Sequence, residues 1–186
     1  MLKFTLIIEE SDLLIVMDPV VDEKTAYDFA YKILFEIRED LKSFIQTYPT
    51  FYTSHSPLNL NEDRLIRIFN QTIIKNQDVI RRMLDASHKV NVGPMACVAG
   101  ITSEFLVKAI QKEFKVKNIL AENGGDIYMD GDCDKTISIY AGNSPLSNQL
   151  ALLIKKENLP TSICTSSGTV GHSFSYGKAD AVVVVS

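Results

Sequence analysis

The sequence predicts an α+β protein in which a mostly antiparallel β-sheet is backed by a layer of helices. Three observations support this fold class: two strand-like segments open the chain, segments with helical periodicity follow, and further strand-like segments fill most of the remainder. The later strand-like segments are joined by short connections. Short connections favour antiparallel pairing, because parallel strands need a long crossover.

The N-terminal half provides the first strands and most of the helices. "KFTLIIEE" and "DLLIVMD" predict a hairpin of two strands. Asp22 is the expected N-cap of a long helix, in which apolar residues recur every three or four positions until Pro49 ends it. Residues 50–59 are expected to form a loop, and a second helix, interrupted near Asn76, is expected to begin near Asn61.

The C-terminal half has a different composition, since all nine glycines lie at position 93 or later and all arginines lie before it. "MACVAGITSEFLVKAIQKEF" predicts a helix whose first turns contain Ala96, Ala99 and Gly100, small residues that let a helix pack closely on a strand or a ligand. Strands are predicted in "NILAEN", "DIYMD", "KTISIYAG", "QLALLIKK" and "ADAVVVVS". No linker separates the halves, so residues 1–186 are expected to form a single domain.

The bulk composition excludes several classes of protein. A net charge of −4 and a pI of about 5.4 do not resemble the basic surface of a nucleic-acid-binding protein. The apolar segments are too short to span a membrane, and the N-terminus lacks the pattern of a signal peptide, so a cytoplasmic protein is expected. Cys97, Cys133 and Cys164 are widely spaced, which argues against a disulfide framework or a structural zinc site.

"ENGGDIYMDG" places Gly124 and Gly125 between two predicted strands. This pattern predicts a two-residue hairpin turn of type I′ or II′, with a positive φ at one or both glycines. Glycines here would also let backbone amides approach an anion or a flat ring, so Asn123 and Asp126 beside them are candidate ligand-binding residues. The following "DGDCD" lacks the glutamate of an EF-hand calcium loop and is interpreted as a solvated turn.

The segment "CTSSGTVGHSFSYGKAD", residues 164–180, is the strongest candidate for a functional segment, because it combines small polar residues with single His, Lys and Asp residues. Cys164, His172 and Asp180 are the candidate catalytic residues. The segment lacks P-loop spacing, so a phosphate here would need backbone amides, hydroxyls, Lys178 or an arginine from the N-terminal half. The candidate ligand-binding residues of this segment are Thr165, Ser166, Ser167, Gly168, Thr169, Gly171, Ser173 and Lys178.

Three segments carry a family resemblance: "GPMACVAGITSEFLVKAI", "VKNILAENGGDIYMDG" and "ICTSSGTVGHSFSYGKADAVVVV". They closely resemble an uncharacterised prokaryotic family of ApbE-like proteins, distant relatives of the FAD:protein FMN transferases once assigned to thiamine biosynthesis. "ESDLLI" and "SFIQTYPTFYTSHSPL" resemble the same family, so the likeness covers essentially the whole chain. The resemblance implies an ApbE-like (T-fold-like) α+β fold, and FAD or FMN with Mg²⁺ as the cofactors to be expected.

In those transferases, a small-residue helix, a Gly-Gly-Asp turn and a late Ala-Asp-Ala segment surround the flavin nucleotide, and the late Asp helps to hold Mg²⁺. By resemblance, Asp126 and Asp180 would lie in the pocket, and Asp180 would be the metal ligand. The chain differs from the transferases at Val184, where they carry Thr, and residues 168–178 replace a longer stretch. A metal site that has lost one ligand would bind its ion more weakly.

Three functions remain open from the sequence. The first is an ApbE-like pocket protein that binds a nucleotide or flavin-like small molecule. An enzyme of this kind would be a transferase related to the FAD:protein FMN transferases. The second is a thiol-dependent enzyme that uses Cys164 and His172, for example in sulfur transfer. The third is a non-catalytic binding or assembly protein. The expected partners are a small-molecule ligand and further copies of the same chain in a homo-oligomer. His55 and His88 lie outside the candidate segment and are expected to be solvated.

Overall fold

The computed structural model describes residues 1–140, 142, 144–166 and 181–185. The described strands are β1 (Leu2–Ile8), β2 (Ser11–Met17), β3 (Ile119–Asn123), β4 (Asp126–Asp130), β5 (Lys135–Ser138), β6 (Ala151–Ile154), β7 (Thr161–Ser166) and β8 (Ala181–Val185). The described α-helices are α1 (Glu23–Thr47), α2 (Thr50–Thr53), α3 (Glu62–Phe69), α4 (Gln77–Val90) and α5 (Val98–Phe114). Short 3₁₀ helices cover Pro94–Cys97 and Lys156–Asn158.

The strands form two antiparallel sheets. The larger sheet has six strands in the order β1-β2-β3-β4-β7-β8, and every neighbouring pair is antiparallel. Strands β5 and β6 form a separate two-stranded sheet. The predicted α+β class, with an antiparallel sheet and a layer of helices, is therefore confirmed.

The helices begin where the capping residues predict. The Asp22 side chain accepts a hydrogen bond from the backbone N–H of Thr25 at 3.1 Å, and α1 ends at Thr47, before Pro49. The predicted interruption near Asn76 separates α3 from α4, and Asn76 is the N-cap of α4. Among the described residues, no single helix is long and apolar enough to cross a membrane, although Gln77–Val90 and Pro94–Phe114 meet the length and composition together as a pair bent by 103°.

The segment expected to be a loop at 50–59 contains one helical turn, α2, which begins directly after Pro49. Phe51 in this turn is fully buried, and its ring lies 4.9 Å from that of Phe44 on α1. The loop prediction was wrong for this turn, because one aromatic side chain docks into the helical layer and fixes the backbone around it. Such a contact between distant segments leaves no local periodicity in the sequence.

One face of the larger sheet packs against α1 and α5. Alternate residues of β1, β2 and β3 point toward these helices and form the main core with Leu34 of α1 and Leu106 of α5. Fully buried side chains of this core include Leu6, Leu13, Ile15, Met17, Leu34, Leu106, Ile110 and Ile119. A second core, around Phe44, lies between α1, α3, α4 and the start of α5.

The opposite face of the sheet is covered in part by the β5–β6 sheet. Met129, Ile154 and Ile163 form its small buried cluster. At the far edge of the larger sheet, Val183 and Val185 of β8 are 52% and 54% exposed, whereas Val182 packs against this cluster. The sheet therefore extends beyond its helical layer at the β7–β8 end.

Strand β7 is the one described strand that the sequence analysis did not predict. Cys164, Thr165 and Ser166 were interpreted as the start of a small polar segment, but they lie on β7 and pair with β8. The Thr161 hydroxyl is buried and donates a hydrogen bond to the Val185 carbonyl at 2.8 Å. Polar side chains in this strand hid its β-character, since only Ile163 is a large apolar residue.

Candidate functional site

The Gly-Gly turn has the predicted conformation. Gly124 and Gly125 have φ values of +60° and +96°, and Asn123 faces Asp126 as the closing pair of the β3–β4 hairpin. Positive φ at both central residues is the requirement of a type I′ turn, so the turn prediction is confirmed. The Gly125 N–H donates to the Glu122 carboxylate at 2.7 Å. An anion that used this amide would therefore compete with Glu122.

The start of α5 lies against this turn. The Asn123 side chain donates to the Ala99 carbonyl at 3.4 Å, and the buried Ser103 hydroxyl donates to the Asp126 carbonyl at 3.5 Å. Ala96, in the preceding 3₁₀ turn, is exposed. A Cβ added to Gly100 would meet no atom of the described residues within 4 Å. The small residues at the start of this helix therefore border open space as well as the turn.

The end of β7 reaches the same place from the other side. Ile163 pairs with Ile127, which sets Cys164 and Thr165 beside the Gly-Gly turn and Asp126. A Cβ added to Gly125 would lie 3.1 Å from the Thr165 Cβ. The Cys164 thiol and the Thr165 N–H lie near enough to the Asp126 carboxylate to lower its pKa through hydrogen bonding. Three segments that are distant in sequence thus meet at Asp126.

Asp126 is a half-buried carboxylate with altered acidity. Burial raises the pKa of its carboxyl above the ordinary value, and the Glu122 charge adds to the rise. The hydrogen bonds from Thr165 and Cys164 act in the opposite direction, because they stabilise the ionised form. A carboxylate in this state would gain stability from a cation or a further hydrogen-bond donor supplied by a ligand.

The cysteines near Asp126 are not activated by the groups described around them. Desolvation of the thiol and the adjacent Asp126 carboxylate raise the pKa of Cys164 to about 11, although the residue as a whole is exposed. Burial and the same carboxylate also raise the pKa of Cys97. A nucleophilic cysteine needs a lowered pKa, so these contacts oppose the thiol-dependent alternative. Its proposed partner, His172, lies outside the described residues.

A group of charged side chains lies near Tyr128 on β4. Glu104 on α5 is 8% exposed, and its carboxylate pairs with Lys108 and, at 3.5 Å, with Arg82 of α4. The Lys108 ammonium lies 5.8 Å from the ring centre of Tyr128, two residues after Asp126. Burial and the Glu104 charge raise the pKa of Tyr128 to about 12, so its hydroxyl is protonated at neutral pH. Arg82 belongs to the N-terminal half, which is one of the sources of positive charge expected for a phosphate near this segment.

Four residues near Asp126 were not predicted from the sequence as site residues: Cys97, Ser103, Glu104 and Tyr128. Two of them had a signal on α5: Ser103 falls four residues after Ala99 on the same helix face, and Glu104 occupies a position in the buried face of α5. Tyr128 also had a signal, because residues i and i+2 of a strand share a face and Tyr128 lies two residues after Asp126 on β4. Cys97 had none, because its place beside Asp126 depends on the turn before α5. His88 is exposed, as expected, and its Nε2 also forms a hydrogen bond with the Leu58 carbonyl at 2.8 Å.

Part of the predicted site lies outside the described residues, so its placement is not tested. The predicted site residues in that part are Ser167, Gly168, Thr169, Gly171, His172, Ser173, Lys178 and Asp180. Val184, where the transferases carry Thr, lies on β8 opposite Ile163 and is 43% exposed.

No cluster of three or more His, Cys, Asp or Glu side chains suited to a metal ion occurs among the described residues. The carboxylates of the "DGDCD" turn have separate partners: Asp130 binds Gln111 at 3.0 Å, Asp132 binds Asn118 at 2.9 Å, and Asp134 binds Lys155 at 2.8 Å. They do not converge on one point, which agrees with a solvated turn and not with a calcium loop. Asp126 is the described carboxylate at the site that a cation would stabilise.

The fold and the site define an α+β protein in which a Gly-Gly-Asp hairpin turn, the start of a helix and the end of a later strand converge. The chain belongs to the family described as "AbpE bacteria", whose family model matches residues 2–186.

Curated relatives carry the name UPF0280 protein. The chain is 38% identical to the UPF0280 protein of Methanocaldococcus jannaschii over 184 residues, which is 98% of this chain and 67% of the relative. It is 38% identical to that of Methanococcus vannielii over 166 residues, 88% of this chain and 62% of the relative. It is 40% identical to that of Methanospirillum hungatei over 167 residues, 90% of this chain and 63% of the relative. The chain thus spans a little under two thirds of the length of most of these relatives.

Proposed function

We propose that the protein binds a nucleotide or flavin-like small molecule in a pocket beside Asp126. The pocket would be formed by the Gly-Gly-Asp turn, the first turns of α5 and the small polar segment that begins on β7. The observation that supports this proposal most directly is the convergence of these three segments on a half-buried carboxylate with a raised pKa. A fold that served only stability would gain by replacing such a carboxylate with a neutral side chain.

Each part of the proposed pocket has a distinct task. The open space beside Gly100 would accommodate a flat ring. A side chain larger than that of glycine at this position would fill the same space. Asp126 would accept hydrogen bonds from the ligand or approach a divalent cation that the ligand brings. Arg82 and Lys108, already oriented by Glu104, would supply positive charge for a phosphate group.

FAD or FMN with Mg²⁺ is the ligand set that the resemblance to the FAD:protein FMN transferases suggests. Bound Mg²⁺ would neutralise phosphate charge, and Asp180 and Asp126 are the carboxylates proposed to hold it. Flavin transfer itself remains a further proposal, because Val184 replaces a Thr that the transferases use. A non-catalytic role, in which the ligand is bound and not converted, is the alternative that these residues also support.

The proposal is tested by calorimetric titration of FAD, FMN and ADP, each with and without Mg²⁺, into the wild type and an Asp126→Asn variant. We expect wild-type binding of at least one nucleotide, and binding about tenfold or more weaker in the variant, because a charged hydrogen-bonding group has been neutralised. Asp12→Asn is the matched control, since Asp12 is exposed on β2 and faces away from the helical layer. Equal binding by all three proteins, or no binding by the wild type, would refute the proposed pocket.

A further inference from the structure

A cleft lies away from Asp126, between the loop that leads into α3 and the end of α4. It has a volume of about 450 Å³ and is lined by Asn59, Leu60, Asn61, Arg64 and His88. The cleft is shallow and open to solvent, so a ligand bound here would keep part of its surface in water. None of these residues belongs to the pocket proposed above.

The polar groups of this cleft are mainly hydrogen-bond donors. Arg64 carries a permanent positive charge and, among the described residues, forms no ion pair, whereas Arg81 on α4 is paired with Glu62 at 2.7 Å. The Asn61 side-chain oxygen accepts a hydrogen bond from the backbone N–H of Arg64 at 3.0 Å, which leaves the Asn61 Nδ2 as a donor. No aspartate or glutamate is among the lining residues.

Two of the lining side chains are held in position by their neighbours. The Arg64 guanidinium lies over the Tyr48 ring, 5.4 Å from its centre. The His88 Nε2 donates to the Leu58 carbonyl at 2.8 Å, because a carbonyl oxygen can only accept. Because these side chains are already held in position, they lose less conformational entropy when a ligand binds.

We propose that this cleft binds a small organic anion, whose phosphate or carboxylate group is held by Arg64 and the Asn61 Nδ2. A guanidinium presents paired N–H donors that match the oxygens of both groups. Leu60 supplies an apolar surface for the body of the ligand, which at this volume is larger than an inorganic ion. Since the cleft and the pocket beside Asp126 have no residue in common, the binding here does not depend on the proposed function.

The test uses protein labelled with ¹⁵N-arginine, in which the side-chain Nε–H signal of Arg64 reports binding. Phenyl phosphate and benzoate, which each carry an anionic group on an apolar body, are titrated separately, so that the two anion chemistries are distinguished. The variants are Arg64→Gln and Asn61→Asp; the second keeps a good N-cap for α3 and adds a carboxylate to the cleft. Arg67→Gln is the matched control, because Arg67 lies on the same helix but does not line the cleft.

We expect at least one of the two anions to shift the Arg64 signal in a saturable way. Its affinity should fall about tenfold or more in Arg64→Gln and Asn61→Asp, and should be nearly unchanged in Arg67→Gln. The anion that binds identifies the group the cleft prefers. The proposal is overturned if neither anion shifts Arg64 at millimolar concentrations. It is also overturned if Arg67→Gln weakens binding as much as Arg64→Gln does, since that result would indicate general surface charge. Retained binding in Asn61→Asp would contradict it as well.

Discussion

The Cys164 thiol, on β7, lies beside the Asp126 carboxylate, on β4, and each group shifts the pKa of the other. The charge of Asp126 raises the pKa of the thiol, and the thiol in return stabilises the ionised carboxylate. The two strands pair next to each other in the sheet, so this contact is fixed by the register of Ile127 with Ile163. The pair therefore joins the Gly-Gly-Asp turn to the start of the C-terminal small polar segment.

Slow labelling of Cys164 follows from this contact. With a pKa of about 11, the Cys164 thiol is almost wholly protonated at neutral pH, and we expect it to react with iodoacetamide about two orders of magnitude more slowly than a free cysteine. Asp126→Asn should accelerate the reaction, because the charge that opposes the thiolate is removed. The rate is measured by mass spectrometry in a background that lacks Cys97 and Cys133. Fast labelling of the wild type at neutral pH would restore the thiol-dependent alternative.

Asp126→Asn is also expected to stabilise the ligand-free protein at neutral pH. Because the pKa of Asp126 is raised in the folded state, the folded protein retains this proton at pH values where the unfolded chain has released it. The group therefore lowers the free energy of unfolding as pH rises through that range, and its full cost is present above the folded pKa. Below the ordinary pKa of aspartate, both states are protonated and the cost disappears.

The variant should accordingly exceed the wild type in urea midpoint at neutral pH, and the difference should vanish in acid. Asparagine can still accept the Thr165 N–H, so the main change is the loss of charge. Asp12→Asn serves as the control for a general change in net charge. A variant that is less stable than the wild type at neutral pH would mean that the hydrogen bonds outweigh the cost of burial.

The two turn glycines should differ in their tolerance of alanine. Gly124→Ala places an ordinary side chain at a φ of +60° where no described atom lies within 4 Å, so we expect a loss of about 1 kcal/mol from backbone strain alone. Gly125→Ala has a φ of +96° and a Cβ only 3.1 Å from the Thr165 Cβ, so its loss should be larger. Urea unfolding measures both variants. Equal losses would indicate that the Thr165 contact relaxes without cost.

Gly93 and Gly100 form a second informative pair. A Cβ on Gly93 would lie 1.9 Å from the Ser54 carbonyl oxygen, so Gly93→Ala must displace backbone and should cost about 2–3 kcal/mol or more. Gly100 lies in α5 with open space around its Cα among the described residues, and Gly100→Ala should stabilise by about 0.5–1 kcal/mol through helix propensity. Thermal and urea unfolding would test both. A destabilised Gly100→Ala would show that the space beside it is filled in the folded protein.

Local patterns predicted the elements whose chemistry is local. The Asp22 cap, the break at Asn76 and the positive φ of Gly124 and Gly125 all depend on residues adjacent in sequence, and all three were confirmed. The predicted β5 and β6 were longer than the observed strands, which cover Lys135–Ser138 and Ala151–Ile154.

The features that the sequence did not predict depend on contacts between distant segments. Strand β7 is stabilised by pairing with β4 on one side and β8 on the other, and its own polar residues gave no strand pattern. Arg82 reaches Glu104 because α4 and α5 pack together. The spacing of residues along the sequence does not predict an ion pair between side chains on two different helices. The candidate site combined both cases, since its turn was predicted and its Cys97 and Tyr128 neighbours were not.

The most direct test of the proposed pocket is an NMR titration of ¹⁵N-glycine-labelled protein with FMN or ADP in the presence of Mg²⁺. The chain has nine glycines, so the spectrum is simple and single substitutions assign its signals. The account predicts that the ligand shifts the signals of Gly100, Gly124 and Gly125, and leaves Gly93 and Gly131 unchanged. If the ligand binds saturably but leaves the signals of Gly100, Gly124 and Gly125 unchanged, the central claim is contradicted, because the ligand then binds somewhere other than beside Asp126.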